Sequence, residues 1–486
     1  MHVHVPHLLR ILAALALLIP TLVQAQDGAW PAELHAALAP SGVPREAVAL
    51  YVQEVDAQTP LLAWNADQPM NPASAMKLVT TLAALEVLGP TYSWPTEAYA
   101  HGTLAGDTLN GDLVLKGYGD PKLDLGRFWD LLSELRSRGL REIRGDLVVD
   151  RSYFQLEHTD PSRFDNDPSR PYNVMPDALL INFKSVRMQF IPEPDSGTVR
   201  ILPTPAFAQV HILNQLALGA GGCNAMPDRP QVQMEVPRLT FTGVFPKDCG
   251  EHSRNFALLA PDEYALSLFR QAWASMGGSF SGGLRARNVD AQAQRLFVAQ
   301  SPPLAEIIRD INKFSNNVMA RHLFLTLSGV QGAPATTERS AQAVSDWLRA
   351  SGIEAPELVM ENGAGLSRIE RVSARTLARI LLRGFSSPLM PEFVASLPIA
   401  GVDGTVRRRL GDSSAAGQAH IKTGYLSGVR AVAGYVRNRS GKWLTVVAVI
   451  NHPAAAEAQG FQDAFIEWAY LQEPEACCRP CRRCTR

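Results

Sequence analysis

An excess of charge of either sign is missing from this 486-residue chain, in which 46 Lys and Arg stand against 47 Asp and Glu. A phosphate backbone is held by a basic field, so a formal net charge of -1 argues against a nucleic-acid partner. Lysine is scarce even within the basic set, supplying only 8 of the 46 residues. Charged residues reach just 19% against 46% hydrophobic, which excludes a disordered or collagen-like chain and leaves material for a large core. No HExxH pattern occurs, and the 11 scattered histidines suit surface or core positions better than ligand or base roles. No metal and no cofactor is expected. After residue 25 no run of 18 uninterrupted apolar residues follows, which argues against a membrane span.

What is present begins with an address. Residues 1–25 carry His2, His4, His7 and Arg10, then the apolar stretch 11–19, then the small-x-small ending Val23-Gln24-Ala25. This reads as a secretory signal peptide, with Pro20 cutting the apolar run short of the roughly 20 residues that span a bilayer. Export makes a disulfide reasonable, and Cys223 and Cys249 are the candidates, 26 residues apart. Cys477, Cys478, Cys481 and Cys484 crowd an Arg-rich end without apolar residues, so 472–486 reads as a disordered appendage rather than a metal knuckle.

At about 150 residues per domain the length suggests two or three domains. Apolar, partly alternating runs at 47–55, 61–64, 418–423, 429–436 and 443–450 read as five strands of one antiparallel sheet assembled from both ends of the chain. Apolar residues spaced three or four apart predict helices at 30–38, 74–88, 304–327, 338–350, 373–383 and 456–471. Helices on the faces of such a sheet give an α+β fold, an α/β/α sandwich. The middle of the chain is richer in β-type alternation, Gly and Pro. The expected division is a discontinuous catalytic part, 26–97 and 291–471, around an inserted β-rich region, 98–290.

Three short motifs carry the chemistry. Ser74-Ala75-Met76-Lys77 sits where Asn71-Pro72 announces a helix, and residues three apart on a helix share a side. A serine becomes a nucleophile when a neighbour takes its proton, and a lysine can do so only as the free amine, far below its usual pKa of about 10.4. Burial, a helix N-terminus and a second cation all push it that way. No other lysine has a serine three residues before it. The second motif, Ser315-Asn316-Asn317, offers a proton-relaying hydroxyl and an orienting amide on an amphipathic helix. Ser253-Arg254-Asn255 also fits S-x-N but lacks that platform. The third, Lys422-Thr423-Gly424, ends a β-like run, where the Lys and Thr can hold a carboxylate and Gly leaves room for substrate at the strand edge.

The order S-x-x-K, S-x-N, K-T-G is that of penicillin-binding proteins and serine β-lactamases. Beyond the motifs, Gly111-Asp112-Leu113-Val114-Leu115-Lys116-Gly117 with Gly119-Asp120-Pro121, Asn362-Gly363-Ala364-Gly365-Leu366-Ser367-Arg368, and the segment from Leu397 to Thr405 resemble the penicillin-binding protein 4 family. These are the class C low-molecular-mass D-Ala-D-Ala carboxypeptidases/endopeptidases. The resemblance covers nearly the whole mature chain, and the 241 positions from Ser74 to Ser315 match that family's long insertion. It implies a transpeptidase-like catalytic domain with two small β-rich domains inserted. It also implies Ser74 as nucleophile, Lys77 as base, Ser315 and Asn317 for proton transfer and alignment, and Lys422 with Thr423 and Gly424 for the terminal carboxylate.

Arg368 resembles the family residue that binds the side-chain carboxylate of diaminopimelate, and the same resemblance implies Asp167, before Tyr172, as the inserted region's counterpart for the amino group. The implied partners are peptidoglycan peptides as substrate and β-lactams as covalent inhibitors, in the periplasm, with room for peripheral membrane or wall-complex association. Tyr425 departs from the family, which has a small hydroxyl residue there. Rival readings are a serine β-lactamase, a monofunctional transpeptidase, and a catalytically inert wall-binding protein.

Overall fold

In the computed structural model, residues 30–472 are described, apart from 158, 208–209, 222–230, 236–237 and 333. The expected signal peptide, Cys223 and the Cys-rich end lie outside the described residues. Cys249 is disulfide-bonded.

Both chain ends build one five-stranded antiparallel sheet in the order Ala419–Leu426, Val429–Arg437, Trp443–Asn451, Val48–Glu54, Leu62–Trp64. Val48 pairs with Ile450 and Glu54 with Leu444, so the N-terminal strand is zipped to the last strand along its whole length. Side chains alternate across a strand, and here both faces are apolar. Val48, Leu50 and Val52 join one core with Leu444, Val446, Ala448 and Ile450, whereas Ala49 and Tyr51 join another with Val447 and Val449. The first core is covered by helices α1 (Ala32–Leu38) and α10 (Gln459–Leu471). The second is covered by α2 (Met76–Leu88), α5 (Leu304–Phe314), α6 (Asn317–Gly329), α7 (Thr337–Ala350) and α8 (Ala374–Ser386). This is the α/β/α sandwich expected from the sequence pattern.

Two elements differ from that reading. The helix expected over 304–327 is two, because Ser315 takes a left-handed conformation (φ 55°, ψ 39°) that ends α5, and Asn316 caps α6 by accepting the Met319 N–H. Periodicity continues across the break, which is why the pattern hid it. A further short helix, α9 (Met390–Ser396), was not anticipated.

Between the two halves the chain forms its own structure. Pro95–Ala105 and Thr108–Gly117 make a long hairpin, and Gln294–Gln300 returns to pair with the first of these, closing the excursion. Seven strands form this sheet, and two three-stranded sheets lie farther along the chain. Two helices stand among them, α3 (Leu125–Ser137) and α4 (Pro261–Ser275), where the sequence suggested mainly strand. One apolar cluster runs through all of these elements, from Leu113 and Phe128 to Phe190, Phe241 and Trp273. Among the described residues no helix is long and apolar enough to cross a membrane.

Specific polar contacts tie the insertion to the sandwich. Lys122 pairs with Asp310 at 2.5 Å. His322 on α6 accepts the Asp177 N–H on Nε2 at 3.3 Å, so its Nδ1–H donates to the Gly119 carbonyl at 3.2 Å. Burial drives this histidine's pKa down to about 4, and it stays neutral as a structural hub. Trp94, fully buried at the neck, donates its indole N–H to Thr326 Oγ1 at 2.9 Å. Truncation of a buried tryptophan costs about 3–5 kcal/mol, so Trp94→Ala should lower urea-unfolding stability by that much. A loss under about 1 kcal/mol would contradict this view of the neck.

Candidate active site

The first motif is built on a strained turn. Pro72 and a positive φ at Ala73 (46°) turn the chain into the short 3-10 segment Ala73–Ala75, from which α2 continues. Asn71 anchors the turn. Its Oδ1 accepts the Ala73 N–H at 2.9 Å, its amide donates to the Ser367 carbonyl at 2.8 Å, and its backbone exchanges two hydrogen bonds with the Asn451 side chain. Two glycines then allow other backbones against the turn. A Cβ on Gly365 would lie 1.9 Å from the Ala73 carbonyl oxygen, and one on Gly424 would lie 2.5 Å from that of Pro72. Ser74 is thus held between the 363–366 loop and the strand carrying Lys422.

Lys77 has no exposed surface. Its Nζ lies 2.9 Å from Ser74 Oγ and 2.7 Å from Asn317 Oδ1, and it also reaches the Ala364 carbonyl. A neutral amine has two N–H donors and one lone pair. Asn317 and Ala364 offer acceptors for both protons, which leaves the lone pair toward the serine hydroxyl. Burial pushes the lysine pKa well below its ordinary value. The charge of Lys422 adds to this, Glu370 opposes it, and Arg321 lowers it further.

Lys422 is equally buried, and burial brings its pKa down to about 7. Its Nζ donates to Ser315 Oγ at 2.9 Å and to the Thr423 carbonyl at 2.7 Å. The left-handed conformation of Ser315 presents its hydroxyl there. Thr423 Oγ1 lies 2.9 Å from Thr405 Oγ1. The strand Ala419–Leu426 is the sheet edge, and its outer side is covered at the 398–399 segment, where the Ile421 N–H meets the Pro398 carbonyl. Lys422, Thr423 and Gly424 lie within this strand rather than at its end as the apolar run suggested. Ser253, the alternative S-x-N serine, lies on His252–Phe256 in a sheet of the insertion.

The two specificity candidates are placed differently. Arg368 is exposed, donates to the Ser427 carbonyl at 3.1 Å just past the Lys422 strand, and stacks 4.7 Å above the Phe164 ring. Phe164 and Tyr172 from the insertion pack against Ala73, Leu366 and Leu426, so the 164–172 loop reaches the edge of the serine turn. Asp167 is engaged within that loop, accepting from Ser169 and, at 2.6 Å, from Arg170. Tyr425 is exposed, with the Arg430 guanidinium 5.0 Å over its ring. The three motifs therefore converge, as their order suggested. Asn451 and Glu370 also belong to the site without any signal in the sequence, Asn71 reads there only as a helix start, and Ala364 only as part of a family-like segment. Only the glycine spacing of Asn362-Gly363-Ala364-Gly365 hinted at a backbone carbonyl pressed against Lys77.

The converged hydroxyl–amine pairs on a sheet-edge sandwich define a serine acyl-transfer enzyme. The model of the D-Ala-D-Ala carboxypeptidase 3 (S13) family matches residues 31–471, and the chain belongs to that family. A D-alanyl-D-alanine carboxypeptidase of Actinomadura sp. (strain R39) is 30% identical over 426 residues, 83% of this chain and 78% of the relative. Penicillin binding protein 4 (dacB) from Haemophilus influenzae superposes with a TM-score of 0.75 at 25% identity, covering 90% of this chain and 99% of that one. Its complex with a novel beta-lactam gives a TM-score of 0.72 at the same identity, covering 90% and 100%.

If Ser74 is the residue that is acylated, with Lys77 as its base, the reaction calls for a free amine at Lys77 and an ammonium at Lys422. The rate of reaction with a carboxylate-bearing penicillin should rise as Lys77 loses its proton and fall as Lys422 deprotonates near pH 7 in the free enzyme. A profile flat from about pH 5 to 10 would contradict this assignment. Gly365→Ala places a side chain at φ 78° and against the Ala73 carbonyl. It should slow acylation more than about tenfold through about 1–3 kcal/mol of strain at the serine turn, whereas unchanged acylation by stopped flow would show the loop free to yield.

Proposed function

We propose that the chain is a serine D-Ala-D-Ala carboxypeptidase and DD-endopeptidase that acts on peptidoglycan stem peptides and is acylated by β-lactams. The observation carrying this reading is the buried Lys77 amine, 2.9 Å from Ser74 Oγ with carbonyl acceptors for both of its protons. Ser74 Oγ attacks the carbonyl carbon of the penultimate D-Ala while its proton passes to Lys77 Nζ. The C–N bond then breaks, and the leaving amine takes the proton held by Lys77, relayed through the Ser315 hydroxyl, which returns Lys77 to the free amine while Lys422 keeps its charge beside Ser315. Water then enters, gives a proton to Lys77 and bonds to the ester carbonyl carbon; the C–Oγ bond breaks and Lys77 returns that proton to Ser74 Oγ, restoring the hydroxyl and the free amine. Asn317 orients the lysine. Lys422 and Thr423 receive the terminal carboxylate, Gly424 gives its space to the serine turn rather than to substrate as the sequence suggested, and backbone N–H groups serve the oxyanion.

The relatives' names support the substrate class. Arg368, exposed at the mouth though hydrogen-bonded to the Ser427 carbonyl, and Asp167 in the facing loop are the candidates for reading the diaminopimelate side chain. Residues 26–97 and 291–471 supply the catalytic part and 98–290 the insertion, with the paired strands Pro95–Ala105 and Gln294–Gln300 lying across or beyond those bounds in the sheet of the insertion, and 1–25 form an export signal that delivers the enzyme to the periplasm. Peripheral membrane or wall-complex association belongs to the same reading and would be detected by co-sedimentation with envelopes.

The test is digestion of cross-linked and uncross-linked muropeptides by wild type and Ser74→Ala, with a fluorescent penicillin as label. Wild type should release D-Ala or open cross-links and take the label, and Ser74→Ala should lose at least about a thousandfold of that activity. Equal activity in the two proteins would falsify the reading. Rapid label turnover would favour a β-lactamase, an acceptor amine outcompeting water a transpeptidase, and absence of label with no digestion an inert wall-binding protein.

A further inference from the structure

One charged side chain beside the site has no part in the steps above. Glu370 has no exposed surface, and its two carboxyl oxygens are treated unequally. Oε1 accepts three backbone N–H groups, from Glu361 at 3.0 Å, Asn362 at 2.9 Å and Gly363 at 2.9 Å. Oε2 is buried with no hydrogen-bond partner among the described residues. Three N–H donors converging on one oxygen form an anion cradle, a geometry that favours the carboxylate over the acid. Burial acts in the other direction and raises the carboxyl pKa. A buried carboxylate needs a cation nearby, and the groups that face it are Lys77 and Arg321. Arg321 is itself buried, donates to the Val174 carbonyl at 3.3 Å, and also feels Glu361. Lys77 in turn faces Lys422.

The amides that Glu370 binds are next to the two carbonyls that touch α2. Gly363 offers its carbonyl to Thr80 Oγ1 at 2.6 Å, and Ala364 offers its own to Lys77 Nζ. The Glu370 end of the loop is fixed as well, because its own N–H donates to Ser367 Oγ at 3.1 Å, and the Ser367 carbonyl accepts from Asn71. A carboxylate therefore closes the 361–370 loop on itself and holds it against α2, the helix that carries Lys77.

We propose that Glu370 is a positioning residue for Lys77: its carboxylate fixes the loop that presents the Ala364 carbonyl, and its charge stabilises the ammonium formed when Lys77 takes the Ser74 proton. This rests on the reading of Ser74 as nucleophile and Lys77 as base. Glu370→Gln keeps an acceptor oxygen for the three amides and removes the charge. Without that charge the ammonium form of Lys77 is less favoured, so its proton is lost at lower pH and the amine is a weaker base.

The experiment measures acylation of the full-length protein by a fluorescent penicillin from low to high pH, with the adduct located by mass spectrometry. Glu370→Gln should move the rising limb to lower pH by about one unit and lower the maximal rate about tenfold, as weakening of a general base does. A limb at the wild-type position, with the adduct still on Ser74, overturns the inference while leaving the catalytic reading intact. A wild-type adduct on another residue removes that reading instead.

Should Glu370→Gln fail to fold, Glu370→Asp decides. It keeps the charge but is one methylene too short to reach all three amides. The rising limb should stay within about 0.3 pH unit of wild type while the rate falls about tenfold at every pH. Acylation equal to wild type would overturn the positioning role.

Discussion

The site depends on one constraint: an amine must be kept without its third proton and aimed at a hydroxyl. In water a lysine refuses both conditions, since its ammonium is strongly hydrated and its stem is flexible. The fold supplies the opposite surroundings. Lys77 is enclosed, its partners are two carbonyl oxygens and the serine, and another cation, Lys422, belongs to the same site. Each partner comes from a different part of the chain. Helix α2 carries Lys77, α6 brings Asn317, the 361–370 loop brings Ala364, and the C-terminal strand brings Lys422. The sandwich can be read as the device that makes these four segments meet.

Such convergence requires backbone conformations that no isolated helix or strand would choose. Ala73 and Ser315 both have positive φ, and each sits at one of the two hydroxyls that meet a buried lysine, one adjacent to it and one bearing it. Gly365 and Gly424 lack side chains where the neighbouring backbone comes too close for a Cβ. Strain of this kind persists only when the surroundings over-determine it. Here the surroundings are Asn71 and Asn451 on one side and the Glu370-closed loop on the other. The insertion adds the remaining wall, where Phe164 and Tyr172 reach the serine turn and Arg368 bridges toward the Lys422 strand.

Much of this was legible in the sequence for a definite reason. The apolar runs of the sheet strands and the three- and four-residue spacing in the helices of the sandwich are both driven by burial, continuous along strands covered on both faces and periodic along the helices. The S-x-x-K, S-x-N and K-T-G residues were legible because each chemistry fixes residue types at a short spacing. What escaped notice has no such signature. The break at Ser315 leaves the apolar period running, α3 and α4 stand in a Gly- and Pro-containing region that reads as strand, and α9 is too short to establish a period. Glu370 looks like any surface glutamate in Arg368-Ile369-Glu370-Arg371. Only the loop's closure, through amides nine, eight and seven residues back, puts it in the interior. Ala364 acts through a carbonyl, and a main-chain group leaves no trace in residue identity.

The scarcity of lysine makes the central claim directly measurable. With eight lysines in the chain, the protein can be labelled at the lysine ε-carbons and titrated by NMR, using Lys77→Arg to assign one resonance. The account predicts that the Lys77 signal reports a neutral amine at pH 7.5, while a water-exposed lysine titrates near its ordinary value of about 10.4. A Lys77 signal that stays protonated up to that ordinary value would contradict it, because Ser74 would then have no base beside it.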